Sequence, residues 1–497
     1  MLRVPAAVRL LTNTRMQLAG ALLALALLAF IGIVRVPVFV DEADNILTAC
    51  LVTRGELPYR DLFSHHFPAP YYALAAFGEG AACSVLVGRV LGVVLLTASA
   101  GAFAWAARSA LASLAVLVMA LTAPLYYLQL YLAETFICAG LILSLALLTD
   151  RGRQLHGPAG IGLRVAALLI LSSSSPIGLM MAAVLTPMIV LGAGRPFTPV
   201  IGACAAGLLA WPLALGIQGT LPAFIDQGVL FNTQVYGPYL PVHLTDPLAL
   251  LWATLTFVRH RFSFGMDWLI GQELKASTAN FGAMFELLLL VLLGVLLVIR
   301  RQERLFRLGV LLLVPLAVSR DGFHLSPFVA VATFGCAHLI GPVLRRRRVI
   351  LALGVATLLV AVRIYFFVLP VELAEADQLS ASLEPEPLVQ RYAPPDAAVL
   401  YLPIAPQGYL ADERRPGSFY TYFLPWIADV PGAQERLIAD IERQQVAVIV
   451  LDQESQIWGK HRFSAYAPRV LAHIQANYRP ADTNDRKKAR IFVRANP

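Results

Sequence analysis

A succession of uncharged apolar runs constrains this chain more than anything else in it. Met16–Val34, Val85–Ala107, Ala110–Leu125, Leu130–Thr149, Ala159–Ser175, Pro176–Gly194, Pro199–Gln218, Leu287–Ile299, Leu305–Ser319, His324–Leu344 and Val349–Leu369 carry almost no charge. Roughly 20 apolar residues cross a bilayer as a helix, and within lipid only helices or closed barrels satisfy their own backbone. The expected fold is therefore an all-α polytopic membrane protein with about eleven transmembrane helices. Composition agrees. The 497 residues are 58% hydrophobic and 14% charged, with mean hydropathy +0.69. Soluble domains sit near half apolar and a quarter charged. Two of the runs are short, and Arg164 and Arg307 have to snorkel to an interface.

The net charge of +8 does not call for nucleic acid. Most arginines flank apolar runs, as the positive-inside rule requires, and no nucleic-acid-reading motif is present in the sequence. Arg3, Arg9 and Arg15 precede the first run. With them in the cytoplasm, Arg151, Arg153, Arg195, Arg300–Arg307 and Arg345–Arg348 fall on the same face. VDEAD follows that run instead of a small-residue cleavage site, so it reads as an uncleaved span. The parity depends on Val165–Gly194. The serines and proline at Ser172–Pro176 predict two short spans there, not one tilted helix.

This divides the chain into a membrane part, residues 1–370, and a soluble α/β part, residues 371–497. The membrane part has a first outer loop at 36–84 and a second at 219–285. Within the second, Pro247–Val258 is expected to lie in the interface. In the soluble part Ala398–Ala405, Val446–Asp452 and ARIFVRA read as strands, and QERLIADIERQQ and RVLAHIQANY as helices. The five cysteines, Cys50, Cys83, Cys138, Cys204 and Cys336, show no paired spacing and are expected to be small core residues.

Chemistry concentrates in the first outer loop. Asp41, Asp44, Asn45 and Thr48 recur at helical spacing and share a face. Gly55 ends the helix, and Pro58–Tyr59–Arg60–Asp61 turns the chain. His65 and His66 stand before Phe67–Pro68–Ala69–Pro70. Such a cluster at the mouth of a span is costly to keep. A purely structural reading stands beside the functional one. Carboxylates suit a helix start, and Asp41 with Asp44 resembles a capping arrangement. Glu134 at the start of the fourth span and the pair Arg320–Asp321 admit the same plain explanation.

Span, acidic pair, G-x-x-P-Y-R-D, His-x-P-x-P, apolar helix, Gly-Arg, span: this order resembles the first outer loop of the GT-C superfamily. These are polytopic glycosyltransferases with polyprenyl-phosphate sugar donors, among them protein O-mannosyltransferases and lipid A aminoarabinose transferases. The outer α/β domain is similar too. The resemblance implies Asp41 as catalytic base with Glu42 as its partner, Asp61 as a second acidic position, and Arg89 as the arginine opening the second span. A lysine that meets the donor phosphate in many members is Phe67 here, so His65, His66, Arg60 or Arg320 has to replace it.

The residue types fit that chemistry. A sugar on a lipid phosphate already has a good leaving group. The acceptor hydroxyl needs a base, and the departing phosphate needs cations. Asp41 and Glu42 are the candidate catalytic pair. Arg60, His65, His66, Arg89, Arg320 and His324 are the candidate phosphate ligands, and Asp44, Asp61 and Glu134 the candidate substrate contacts. The expected reaction is inverting displacement onto a lipid, polysaccharide or protein acceptor. It is expected on the periplasmic side of a bacterial inner membrane, with no required cofactor, although Asp41, Glu42 and His66 also suit a divalent metal. Two other classes remain. A transporter or flippase of lipid-linked glycans places charge at mid-membrane within repeats. A non-catalytic scaffold of an envelope glycan complex needs no acidic pair.

Overall fold

The computed structural model describes residues 37–107, 110–194, 197–239, 278–299, 304–317, 323–340, 383–457, 459, 461–481 and 490–495. The expected spans Met16–Val34 and Val349–Leu369, the interfacial segment Pro247–Val258 and Arg320 lie outside them.

The first outer loop opens with α1 (Val40–Thr53). It ends where Gly55 takes φ +92°, a left-handed conformation open to glycine. The chain returns through the short α2 (Ala69–Ala75) to α3 (Val85–Ala107). Every other described apolar run is helical: α4 (Ala110–Thr122), α5 (Ala133–Leu148), α6 (Pro158–Ser172), α7 (Pro176–Gly192), α8 (Phe197–Ile217), α9 (Thr278–Ile299), α10 (Arg304–Ala317) and α11 (Ser326–Ile340). α3 and α8 are both long and apolar enough to cross a bilayer unaided. The break at Ser173–Ser175 is real: the Ser175 hydroxyl accepts from the amide of Gly178 at 2.9 Å and starts α7.

α5 lies at the centre and is buried from Thr135 to Leu148. Small residues let its neighbours approach. A Cβ on Gly140 would come within 2.8 Å of Leu171 on α6. The outer helices turn apolar stripes away from the protein: Leu86, Val90 and Val94 on α3, Ile201, Leu209 and Leu213 on α8, and Leu288, Val291 and Val295 on α9. Water would penalise so much uncovered apolar surface, whereas lipid tails accept it. The chain is a membrane protein.

The carboxyl-terminal part forms a five-stranded sheet in the order β2-β1-β3-β5-β4. Its elements in chain order are β1 (Ala398–Leu402), β2 (Arg415–Pro416), α12 (Ala433–Arg443), β3 (Val448–Leu451), α13 (Pro468–Asn477), β4 (Tyr478–Pro480) and β5 (Arg490–Arg494). β1 pairs in parallel with β2 and β3, while β5 runs antiparallel to β3 and β4. α12 buries Ala433, Leu437 and Ile441, one face at a four-residue spacing. Phe63 from the first loop and Phe231 from the segment after α8 enter the same core as Leu400, Ile449 and Phe492. The sheet is thus packed directly onto the loop that carries the acidic pair.

Two expectations change. Cys50 and Cys83 form a disulfide across 33 residues, tying the end of α1 to the approach to α3. The turn Glu79–Ala82 folds the chain back far enough to bring them together, which linear spacing does not reveal. The cap of α1 is also different. Glu42, not Asp41 or Asp44, reaches back to the amide of Phe39, at 3.5 Å.

Candidate active site

The acidic pair divides between two environments. Glu42 is fully buried, and Arg89 forks onto it, with Nε to Oε1 at 2.8 Å and Nη2 to Oε2 at 2.6 Å. The amide of Tyr131 donates to the same Oε1 at 2.9 Å, and Arg89 Nη2 also donates to the carbonyl of Pro37 at 3.0 Å. One turn along α1, Asn45 Nδ2 donates to the carbonyl of Tyr131 at 3.1 Å. Both backbone polar groups of Tyr131 are therefore held from α1, and the Tyr131 hydroxyl donates to the carbonyl of Pro70 at 2.7 Å. This network fixes α1 against α3 and α5.

Asp41 is different. It is half-buried, and its carboxylate makes no hydrogen bond among the described residues. Asp44, Glu134, His66 and His324 surround it within electrostatic reach. Burial pushes its carboxyl above the ordinary value, and His66 and His324 offset only part of that. A carboxylate with open lone pairs and raised basicity can take a proton.

The two histidines also divide. His65 Nδ1 lies 2.8 Å from the Tyr422 hydroxyl, and its ring packs among Phe63, Phe231 and Tyr236. Burial, with His66 adding to it, pushes this imidazole well below its ordinary value, so it is neutral. Burial pulls His66 down as well, but the carboxylates of Asp44, Asp41 and Glu134 outweigh it and its pKa is raised. His66 Nδ1 stands 3.5 Å from Asp44 Oδ2, an ion-pair distance too long for a good hydrogen bond. Across the site, His324 Nδ1 meets Glu134 Oε1 at 2.6 Å.

Arg60 and Asp61 lie elsewhere, on an exposed turn. Arg60 forks onto Asp61 at 2.9 and 2.8 Å, and Asp61 caps the amide of Leu57 at 2.8 Å. The Arg60 hydrogen bond holds the Asp61 carboxyl below its ordinary value. So Asp41, Asp44, His66, Glu134 and His324 come together, Glu42 and Arg89 brace them, His65 abuts the aromatic core, and Arg60 and Asp61 face a separate cleft.

Sequence reasoning missed the residues that position the loop. A wide, π-type helix, Ile225–Tyr236, supplies them. Gln227 accepts from the amide of Ser64 at 3.0 Å and donates to the carbonyl of Tyr59 at 2.5 Å. Asn232 donates to the carbonyl of His65 at 2.6 Å. From the sheet side, Thr421 donates to Asp44 Oδ1 at 3.4 Å. Deeper in, Tyr126 donates to the buried carboxylate of Glu286 on α9 at 2.8 Å. Glu286 had a signal, being an acid inside an apolar run. The others are ordinary polar residues far away in sequence.

No family model matches the chain, and no curated protein matches it. Among solved structures it is similar to ArnT from Cupriavidus metallidurans bound to undecaprenyl phosphate. That likeness is 11% identity, TM-score 0.43, over 95% of this chain and 97% of that one. It is also similar to the Archaeoglobus fulgidus oligosaccharyltransferase in complex with Zn and sulfate. There the identity is 11% and the TM-score 0.40, over 92% of this chain and 71% of that one. Both likenesses are distant.

Proposed function

We propose that the protein is a membrane glycosyltransferase of GT-C type that moves a sugar from a polyprenyl-phosphate donor to an acceptor hydroxyl. Asp41 takes the hydroxyl proton as the acceptor oxygen attacks the anomeric carbon. The bond from that carbon to the phosphate oxygen breaks, and the lipid phosphate leaves with the electron pair. Attack opposite the leaving group inverts the anomeric centre. His66, cationic beside Asp44, and His324 meet the charge growing on the phosphate, with Arg320 as a further candidate. Glu42 and Arg89 hold α1 in place, and His65 orients the loop through Tyr422. Asp44 and Glu134 keep the two imidazoles in position.

One observation carries this reading. Of two adjacent acids, one is saturated by an arginine and two amides, while the other is uncommitted among the described residues, half-buried and more basic than usual. A purely structural acidic pair would spend both carboxylates. The disulfide Cys50–Cys83 supports a site on the oxidising, outer side of the membrane.

The test is purified full-length protein in nanodiscs, given a radiolabelled polyprenyl-phosphate sugar and candidate hydroxyl acceptors. Label transferred to an acceptor, with release of the lipid phosphate, is the expected result. In proteoliposomes, label crossing the bilayer without any bond broken would replace the transferase by a carrier.

A further inference from the structure

The turn that carries Arg60 and Asp61 does not reach the Asp41 cluster. It forms one wall of a polar cleft of about 370 Å³ between the first loop and the sheet domain. Arg415, Arg436 and Arg443 stand on the opposite wall. Arg415 is on β2 at the edge of the sheet, and Arg436 and Arg443 are on α12. Among the described residues Glu56 and Asp61 are the only carboxylates lining it, so four arginines leave a surplus of positive charge.

Their pairing makes that surplus usable. Arg60 is committed to Asp61. Arg443 touches Asp440 at 2.6 Å yet keeps 70% of its side chain exposed. The Arg436 guanidinium carbon stands 3.5 Å from the Phe419 ring centroid, and no carboxylate among the described residues pairs with it, so packing holds it. Burial and the nearby Asp61 push the Glu56 carboxyl up, and Arg415 and Arg54 offset part of that. A guanidinium stacked on an aromatic ring beside two exposed ones is an arrangement suited to multi-oxygen anions such as phosphoryl groups.

The cleft also adjoins the acidic cluster. Leu51 of α1 and Thr421 line it, and Thr421 donates to Asp44. Thr421 thus stands between this cleft and Asp44, which is one turn from Asp41 on α1.

We propose that this cleft binds a phosphoryl group, and that it is where an anionic acceptor is held while its hydroxyl reaches Asp41. The use of the cleft by an acceptor rests on the transferase reading. The binding site stands on the arginines. The phosphoryl group comes either from a lipid headgroup or from a water-soluble phosphorylated glycan.

The test uses full-length protein in phosphatidylcholine nanodiscs, without donor, titrated calorimetrically with inorganic pyrophosphate at low salt. Saturable binding is expected, weakened about tenfold or more in the double variant Arg415→Gln/Arg443→Gln and by less in Arg415→Lys/Arg443→Lys, which keeps the charge but loses the fork. It should also weaken as salt is added. Repeating the titration in phosphatidylglycerol nanodiscs separates the sources: competition assigns a lipid headgroup, and unchanged affinity a soluble anion. No saturable binding, equal affinity in the glutamine variant, or indifference to salt would overturn the proposal. If the glutamine variant does not fold, the salt series and the lysine variant still decide. Because no transfer is measured, failure of Asp41 as base leaves this result standing.

Discussion

Glu42 accepts from Arg89, Tyr131 and Phe39, whereas Asp41, one residue before it, accepts from no described group. The two acids therefore respond oppositely to neutralisation. Glu42→Gln strands a guanidinium that is 1% exposed, and breaking a buried pair from one side costs about 3–5 kcal/mol. Thermal unfolding should show a clearly lower midpoint. Asp41→Asn should melt no lower than wild type. Its carboxyl is raised in the folded state, so the charged form is the strained one above that pKa. The difference from wild type should vanish as pH falls below the ordinary carboxylate value of 3.8. The same groups shape the pH profile. Transfer is lost on the acid side as Asp41 protonates, above 3.8, and on the alkaline side as His66 loses its proton, above 6.5. Asp44→Asn removes a carboxylate that supports the imidazolium, so steady-state rates should show the alkaline limb moving to lower pH. An unmoved limb would take His66 out of the account. Sequence already marked this cluster, because charge beside a span is conspicuous. Only the family resemblance ranked Asp41 over Glu42; the residues by themselves could not, since hydrogen bonds to Arg89 and Tyr131 form only once distant segments meet.

At the scale of elements, α1 is secured at both ends. Near its start Glu42 and Asn45 grip the backbone N–H and C=O of Tyr131, and Cys50–Cys83 closes its far end. Replacing both cysteines by serine should lower the unfolding midpoint, by about 2–5 kcal/mol of stability for a native bridge. Without reductant, neither cysteine should take up maleimide after denaturation. Labelling of both would contradict the bridge. Several element boundaries were legible. Gly55 after α1 and the serine-proline break before α7 are backbone signals that act locally, and β1 and β3 announce themselves as short apolar runs. The disulfide and the π-type helix were not legible. One needs the Glu79–Ala82 turn to bring its halves together, and the other has no pattern distinct from an ordinary helix.

On the scale of the whole molecule, the sheet domain and the first loop share a core. Phe63 sits against Phe231, Phe419, Tyr420 and Tyr422, with ring centroids 5.1 to 6.2 Å away. Phe63→Ala should cost about 3–5 kcal/mol and loosen the hold on His65 and His66. Hydrogen exchange should then rise across residues 62–72 and 418–424 together. A rise confined to one side would mean the two parts are not coupled. The membrane class was plain from the apolar runs, but this contact was not, because alternation within a strand does not say which distant aromatic it will meet.

The central claim is that Asp41 removes the proton from the acceptor while its neighbours hold the donor. The measurement that tests it most directly is single-turnover transfer from a radiolabelled polyprenyl-phosphate sugar by purified Asp41→Asn, with donor affinity measured on the same sample. Transfer slowed about 100-fold or more with donor affinity unchanged is the predicted result. Transfer at the wild-type rate by a folded, donor-binding Asp41→Asn would contradict it.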